Sequence, residues 1–298
     1  MHAAMRVALN ADTTPLSISD RLIFKPFEAR AREAAETGFG AINVDRSEAG
    51  LTPRKVRQIV DRYHLEVASG FFQGRFYRAA EEEEIFCQAA QQAEFSAALG
   101  QDCLFVSAFV SPPERHALAG RIRPGEAVSL DAGQFIRMAR LLERIAALWQ
   151  GYGIELCFHP HVATYVEAPH EIDRLMEATD PGLVKLGVDT GHIFFGGGDP
   201  VGMIERYYER LAALHVKDIR SQVVEEARSK SLDYRQACAR GVWTELGRGD
   251  IGFPSLFALL RNKGWSGWVI VETDHTALAT AAESSRMSRE YLHNVIGI

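Results

Sequence analysis

Cysteine is scarce in this chain and none of it is paired by spacing. Cys87, Cys103, Cys157 and Cys238 are scattered without a CxxC pair, which argues against a disulfide framework and against a zinc ribbon; they read as reduced thiols, mostly buried. There is no excess of basic charge either. The formal net charge of -6 gives a polyanion nothing to bind to, so nucleic acid is not an expected partner. No run of roughly 18 apolar residues would cross a bilayer. The opening "MHAAMRVALNADTTP" lacks the charged, then apolar, then small-residue order of an export signal. The expectation is a soluble, unexported, cytoplasmic protein without a membrane partner. A nucleotide fingerprint is missing as well: "FGGGDP" is neither a GxGxxG between strand and helix nor a loop ending in Lys-Ser/Thr.

What is present is alternation. With 298 residues, 47% of them hydrophobic, the chain can bury a substantial core. Short apolar runs, "RVALN", "AINVD", "LEVASGFF", "DCLFVSAFV", "IELCFHP", "VKLGVD", "ALHVKD" and "WVIVETD", are separated by amphipathic segments, the pattern of repeated βα units. Pro26, Pro53 and Pro254 stand near helix starts, and Gly38, Gly100 and Gly264 follow helix ends. The acidic run Glu81 to Glu84 suits a helix N-terminus, where negative charge complements the macrodipole. Strands apolar along their whole length fit a parallel sheet covered on both faces. Eight such units predict a closed (β/α)8 barrel, with a doubly wound open sheet as the alternative. No composition break divides residues 1–298, so a single domain is expected. "SQVVEEARSKSLDYRQACARGVWTELGRGDIG" is too long for an ordinary connection after the seventh strand, and predicts a helical insertion acting as lid, interface or binding loop.

In such a barrel the chemistry belongs at the C-terminal ends of the strands. Four consecutive strands end in metal-capable or acid/base side chains: "CFHPH" (Cys157 to His161), Asp189, "HVKD" (His215 to Asp218) and "ETD" (Glu272 to Asp274). Residues two apart share a face, so Cys157 goes with His159 and His161, His215 with Lys217, and Glu272 with Ile270 and Asp274. Asp189, His215 and Glu272 then converge in the barrel mouth. Two carboxylates and an imidazole suit manganese, magnesium, cobalt or zinc. Each residue has a bland alternative: Asp189 as a turn acid, His215 as a satisfied core histidine. Glu272 after "VIV" is harder to explain that way, because an unpaired carboxylate on a buried strand is costly. His159, Lys217 and His192 form a second group, placed to contact substrate or to move a proton.

The segments "LGVDTGHIFFGGGDP", "HVKDIR", "HPHVATYVE" and "GWVIVETD" together resemble the xylose isomerase-like barrel superfamily of sugar isomerases, epimerases and dehydratases. The resemblance is sharpest from Ile154 to Asp274, and within the superfamily is strongest toward inosose (2-keto-myo-inositol) dehydratases. It implies a divalent metal, manganese or cobalt with magnesium or zinc as alternatives, on Asp189, His215 and Glu272. A strand-five glutamate is also implied, but Cys157 stands there, leaving His161 or His159, or water, to complete the set. His159 matches a histidine implied in proton transfer. Two-faced proton exchange by paired glutamates would lack a partner, so dehydration of a polyol ketone is favoured over epimerisation. His159 or Lys217 would take the α-proton and another of His159, Lys217 and His192 would protonate the departing hydroxyl. The alternatives are an isomerase or epimerase, a dehydroshikimate-type dehydratase, and a polyol-binding barrel without catalysis. An apurinic endonuclease relative is disfavoured by the acidic balance. The expected partner is a small polyol or sugar ketone. Such barrels often dimerise or tetramerise, which makes a homo-oligomer compatible with the sequence.

Overall fold

The computed structural model describes residues 5–19, 21–46, 48, 50–108, 112–126 and 128–298. Its main sheet consists of β1 (Arg6–Leu9), β2 (Ala41–Ile42), β3 in two pieces (Glu66–Val67 and Gly70–Gln73), β4 (Cys103–Ser107), β5 (Glu155–Phe158), β6 (Val184–Asp189), β7 (Leu211–Val216) and β8 (Trp268–Val271). Every pairing in it is parallel, and β1 pairs with both β2 and β8. The two ends of the hydrogen-bonded order are the two pieces of β3. Only Ala68 and Ser69 separate them, and both continue the ladder, Ala68 N donating to Ile42 O and Ser69 O accepting from Val44 N. The sheet therefore closes on itself as an eight-stranded barrel, as expected from the unit count.

Outer helices follow the strands: α1 (Phe27–Glu36), α2 (Pro53–Tyr63), α3 (Glu82–Leu99), α4 (Ala132–Gln150), α5 (Pro169–Ala178), α6 (Pro200–Arg206), α7 (Phe253–Asn262) and α8 (Ala281–Tyr291). Local chemistry sets their ends. Thr52 caps α2 with Pro53 behind it, while Asp131 with Gln134 and Thr280 with Glu283 form reciprocal capping boxes on α4 and α8. Gly100, at φ 77°, ends α3 in the left-handed conformation. The three glutamates Glu82 to Glu84 lie in the first turn of α3, where the sequence put them.

Strand alternation splits the apolar residues in two. One set fills the layer between strands and helices. The other, including Ala8, Ala41, Phe105, Cys157, Ala213 and Ile270, fills the barrel interior. Small residues dominate this inner set because eight converging strands leave little room. The insertion after β7 is helical as predicted, with helices Ser221–Ser229 and Tyr234–Ala239 between the antiparallel pieces Asp218–Ile219 and Trp243–Thr244. The Asp218 carboxylate accepts the backbone N–H groups of Ile219, Gly247, Gly249 and Ile251, so one buried side chain fixes the whole return of the insertion to α7. Among the described residues, no helix is long and apolar enough to cross a membrane.

Candidate active site

The barrel interior dictates which side chains meet at the mouth. Stepping two residues on from the inward Cys157, Ala213 and Ile270 leads to His159, His215 and Glu272. On β6 the inward position is Gly187, where a Cβ would come within 2.6 Å of Phe105, and two residues further stands Asp189. The register puts Asp189 directly opposite His215. Asp189 is also the N-cap of a short helix, Thr190–Phe195, through its Oδ1, which accepts from His192 N at 2.8 Å.

Ligand atoms of His159, Asp189 and His215 all lie within 4.8 Å of one another, a group able to hold a metal ion. Glu272 adjoins it: its Oε2 contacts His215 Nδ1, and its Oε1 accepts from Lys217 Nζ at 3.0 Å. Asp189 Oδ2 and His215 Nε2 are buried without a hydrogen bond. Lys217 is wholly buried. Its ammonium also donates to Asp274 Oδ1 at 2.8 Å, meets His192 Nε2 at 3.1 Å and lies 3.8 Å from Asp189 Oδ2. His161 is placed differently from His159. Its Nδ1 lies 2.6 Å from the Val162 carbonyl, and its ring stacks on His192 with centroids 3.6 Å apart.

Electrostatics follow from this packing. Burial alone would pull the Lys217 ammonium down, but Asp274, Glu272 and Asp189 outweigh it and raise its pKa above the ordinary lysine value. Burial works against the Glu272 carboxylate too, and there Lys217 and His215 win and hold its pKa well down. Asp189 is pushed up to about 6 by burial, with Glu272 adding to the shift and Lys217 opposing it. Burial and neighbouring cationic or imidazole groups lower His159, His161 and His192, His161 to about 3. His159, His161 and His192 are therefore neutral and Lys217 is charged near neutral pH.

His159, His161, His215, Glu272 and Asp274 line a cavity of about 1130 Å³. The residues gathered on β5 to β8 are the ones the sequence singled out. Among the cavity-lining residues that were not are Asn10 and Asn43, beyond β1 and β2, and Tyr234 from the insertion. Tyr234 sends its hydroxyl to Asp274 Oδ2 at 3.3 Å. The signal for the two asparagines was available, since each stands two residues after an inward alanine, Ala8 or Ala41. Tyr234 had none, because insertion geometry is not periodic.

Residues 31–291 match the family model for the xylose isomerase-like TIM barrel. The chain belongs to that family. Within this xylose isomerase-like family, it is 34% identical over 266 residues to the inosose dehydratase of Geobacillus kaustophilus (strain HTA426), covering 89% of this chain and 85% of the relative. Among solved structures it is similar to the probable 3-DHS dehydratase AsbF of Bacillus anthracis, with a TM-score of 0.68 at 15% identity, covering 98% of this chain and 100% of that one. It is similar also to the IOLI protein with a bound zinc atom, with a TM-score of 0.69 at 13% identity and 98% of each chain covered. At these identities the structural likeness establishes the shared fold.

Proposed function

We propose that this chain is a metal-dependent hydro-lyase that dehydrates a cyclic polyol ketone such as 2-keto-myo-inositol. The observation that carries the reading is the gathering of Asp189, His215, Glu272, His159 and Lys217 at one mouth, in a chain one-third identical to an inosose dehydratase along most of its length. A divalent metal fits the donor set. Asp189 Oδ2 and His215 Nε2 are buried without a hydrogen bond, a costly state unless another partner fills the gap. Once Lys217 is matched with Asp274, Asp189 and Glu272 leave two negative charges for a doubly charged ion. Their carboxylate and imidazole donors suit manganese or cobalt, with magnesium or zinc as alternatives. Asp189, His215 and Glu272 would hold it, with His159 as the strand-five donor in preference to His161, and Cys157 buried beneath. Bound there, the metal supplies Lewis acidity toward a substrate carbonyl and its neighbouring oxygen.

The remaining chemistry belongs to the chain's own groups. If the Val162 carbonyl accepts from His161 Nδ1–H, the lone pair is on Nε2, and burial keeps that imidazole neutral. His161 is thus the base we assign to the proton beside the ketone. Lys217, held charged by three carboxylates, is unsuited as a base and gives up its own proton reluctantly. It contributes positive charge to the mouth, and His161 passes the proton it takes from carbon to the hydroxyl on the next carbon. As the C–H bond breaks its electrons form the enolate, and their return breaks the C–O bond, releasing water and leaving the enone. His192 accepts from Lys217 and orients it. In this assignment His159 completes the ligand set that the sequence left open among His161, His159 and water, and His161 takes the proton expected of His159 or Lys217. The mouth holds one carboxylate fewer than paired-glutamate epimerisation asks for.

The test is direct. Metal-loaded protein given 2-keto-myo-inositol is expected to generate an ultraviolet-absorbing dehydrated product, and Glu272→Gln to abolish turnover with an unchanged circular dichroism spectrum. Absence of product from the parent, or full activity of the variant after chelation, refutes the reading.

A further inference from the structure

The cavity has a second polar wall that the proposed chemistry does not use. Asn10 and Asn43 stand side by side beyond β1 and β2: Asn43 N donates to Leu9 O at 3.2 Å and Asn10 N to Val271 O at 2.9 Å. The second of these bonds also sets Asn10 beside Glu272, one strand away from the metal-competent group. Asn43 is only 4% exposed, and the side-chain oxygens of both asparagines are buried without a partner. Both residues line the same cavity as His159 and Glu272.

Beside the amides, on the same cavity wall, stand charged groups that are paired with one another. Arg30 is buried and lies 3.5 Å from Asp12 and 3.8 Å from Glu48, Glu48 also accepts from Phe27 N at the start of α1, and Lys25 is paired with Glu33 at 2.5 Å. At Asn10 and Asn43 this wall therefore offers neutral amides beside those ion pairs. A carboxamide presents an acceptor and two donors at one place, and a hydroxyl can use both kinds.

We propose that Asn10 and Asn43 form a hydroxyl-reading subsite, which binds hydroxyls on ring carbons away from the ketone. The placement of the ketone rests on the dehydratase reading; the subsite itself rests on the unpaired amides. A hydroxyl relieves the buried oxygens, whereas a deoxy analogue leaves them unpaired, and sites built this way discriminate strongly.

Asn10→Leu and Asn43→Leu are compared with the parent on 2-keto-myo-inositol and its ring-deoxy analogues, with melting curves as the control for folding. Each variant is expected to raise KM about tenfold, the loss of one hydrogen bond, while kcat changes by less than about threefold. Each should also lose the parent's discrimination against the matching deoxy analogue. Unchanged KM, a fall in kcat alone, or retained discrimination in both variants overturns the proposal. Should a leucine variant fail to fold, Asn43→Ser, with a smaller polar group, is expected to show a weaker effect in the same direction. If the parent does not turn over 2-keto-myo-inositol, the dehydratase reading fails separately, and calorimetry with myo-inositol decides the subsite. Binding to the parent that weakens about tenfold in the leucine variants supports it; no binding, or equal binding to all three, overturns it.

Discussion

Gly187→Ala tests whether the packing under the site positions the groups above it. Gly187 stands on β6 at the point where its register with β7 shifts. A Cβ there would lie 2.6 Å and 2.7 Å from two atoms of the Phe105 ring and 3.2 Å from Cys157 Cβ. Carbon atoms prefer separations of about 3.5–4.0 Å, so the ring must retreat by about 1 Å. It has little room to do so: its centroid is 4.0 Å from that of His215 and 5.7 Å from that of His159. Overpacking of this kind costs about 1–3 kcal/mol. For a chain of 298 residues the unfolding entropy is about 0.6 kcal/mol/K, so the melting temperature should fall by about 2–5 °C. Activity should fall much further, because a displacement of about 1 Å among reacting groups can cost about a hundredfold. Differential scanning fluorimetry and turnover of 2-keto-myo-inositol measure the two effects, and Phe105→Leu in the same chain should restore part of both. A Gly187→Ala protein that melts and turns over like its parent would refute the idea that the barrel interior fixes the histidines.

Lys217→Met leaves Asp274 and Glu272 buried without their cation. Removing one partner of a buried pair costs about 3–5 kcal/mol, or about 5–8 °C on the same entropy scale. Thermal melts should show that loss and its partial recovery on adding Asp274→Asn; an unshifted melt would mean the cluster is screened by solvent. The thiols make a separate prediction. Cys87 is exposed, while Cys103, Cys157 and Cys238 are buried. Burial, with Asp274 adding to it, pushes the Cys238 thiol up to about 12. The Cys103 contact and burial raise Cys157 as well. Iodoacetamide at mildly alkaline pH should therefore label Cys87 alone in the folded protein and all four cysteines in denaturant, as read by mass spectrometry; rapid labelling of Cys238 in the native state would contradict the packing of the insertion.

The barrel was legible because its signal is periodic and repeated. Eight apolar runs alternating with amphipathic segments leave few architectures, and an inward-facing run that ends in Asp189, His215 or Glu272 announces its own register. His161 reaches the same cavity as His159, but strand alternation is not what brings it there. β5 ends at Phe158, and the chain then turns through Pro160 toward Ala163, whose φ is 67°, so alternation no longer governs where His161 points. The asparagines beyond β1 and β2 were overlooked because neutral amides carry no metal or acid/base signature, although their spacing from Ala8 and Ala41 follows the same rule as that of His215 from Ala213. Arg115 had no local signal at all. It is fully buried and bidentate to Glu171 at 2.8 and 2.7 Å, a pairing across 56 residues that only the folded chain brings about.

Asp189 divides its carboxylate between two tasks. Oδ1 is bound to the first turn of the short helix through His192 N, and Oδ2 faces His215 and Lys217. The side chain is therefore already held against rotation before anything enters the mouth, and the entropy of orienting that oxygen is settled during folding. The same arrangement constrains what can replace it. Asparagine can keep the helix cap but presents an amide nitrogen where the second oxygen was. Glutamate carries the right charge but is one methylene too long to cap at that position and still leave its other oxygen in place. Length and charge are thus specified independently at this one position, the first by the helix and the second by the mouth.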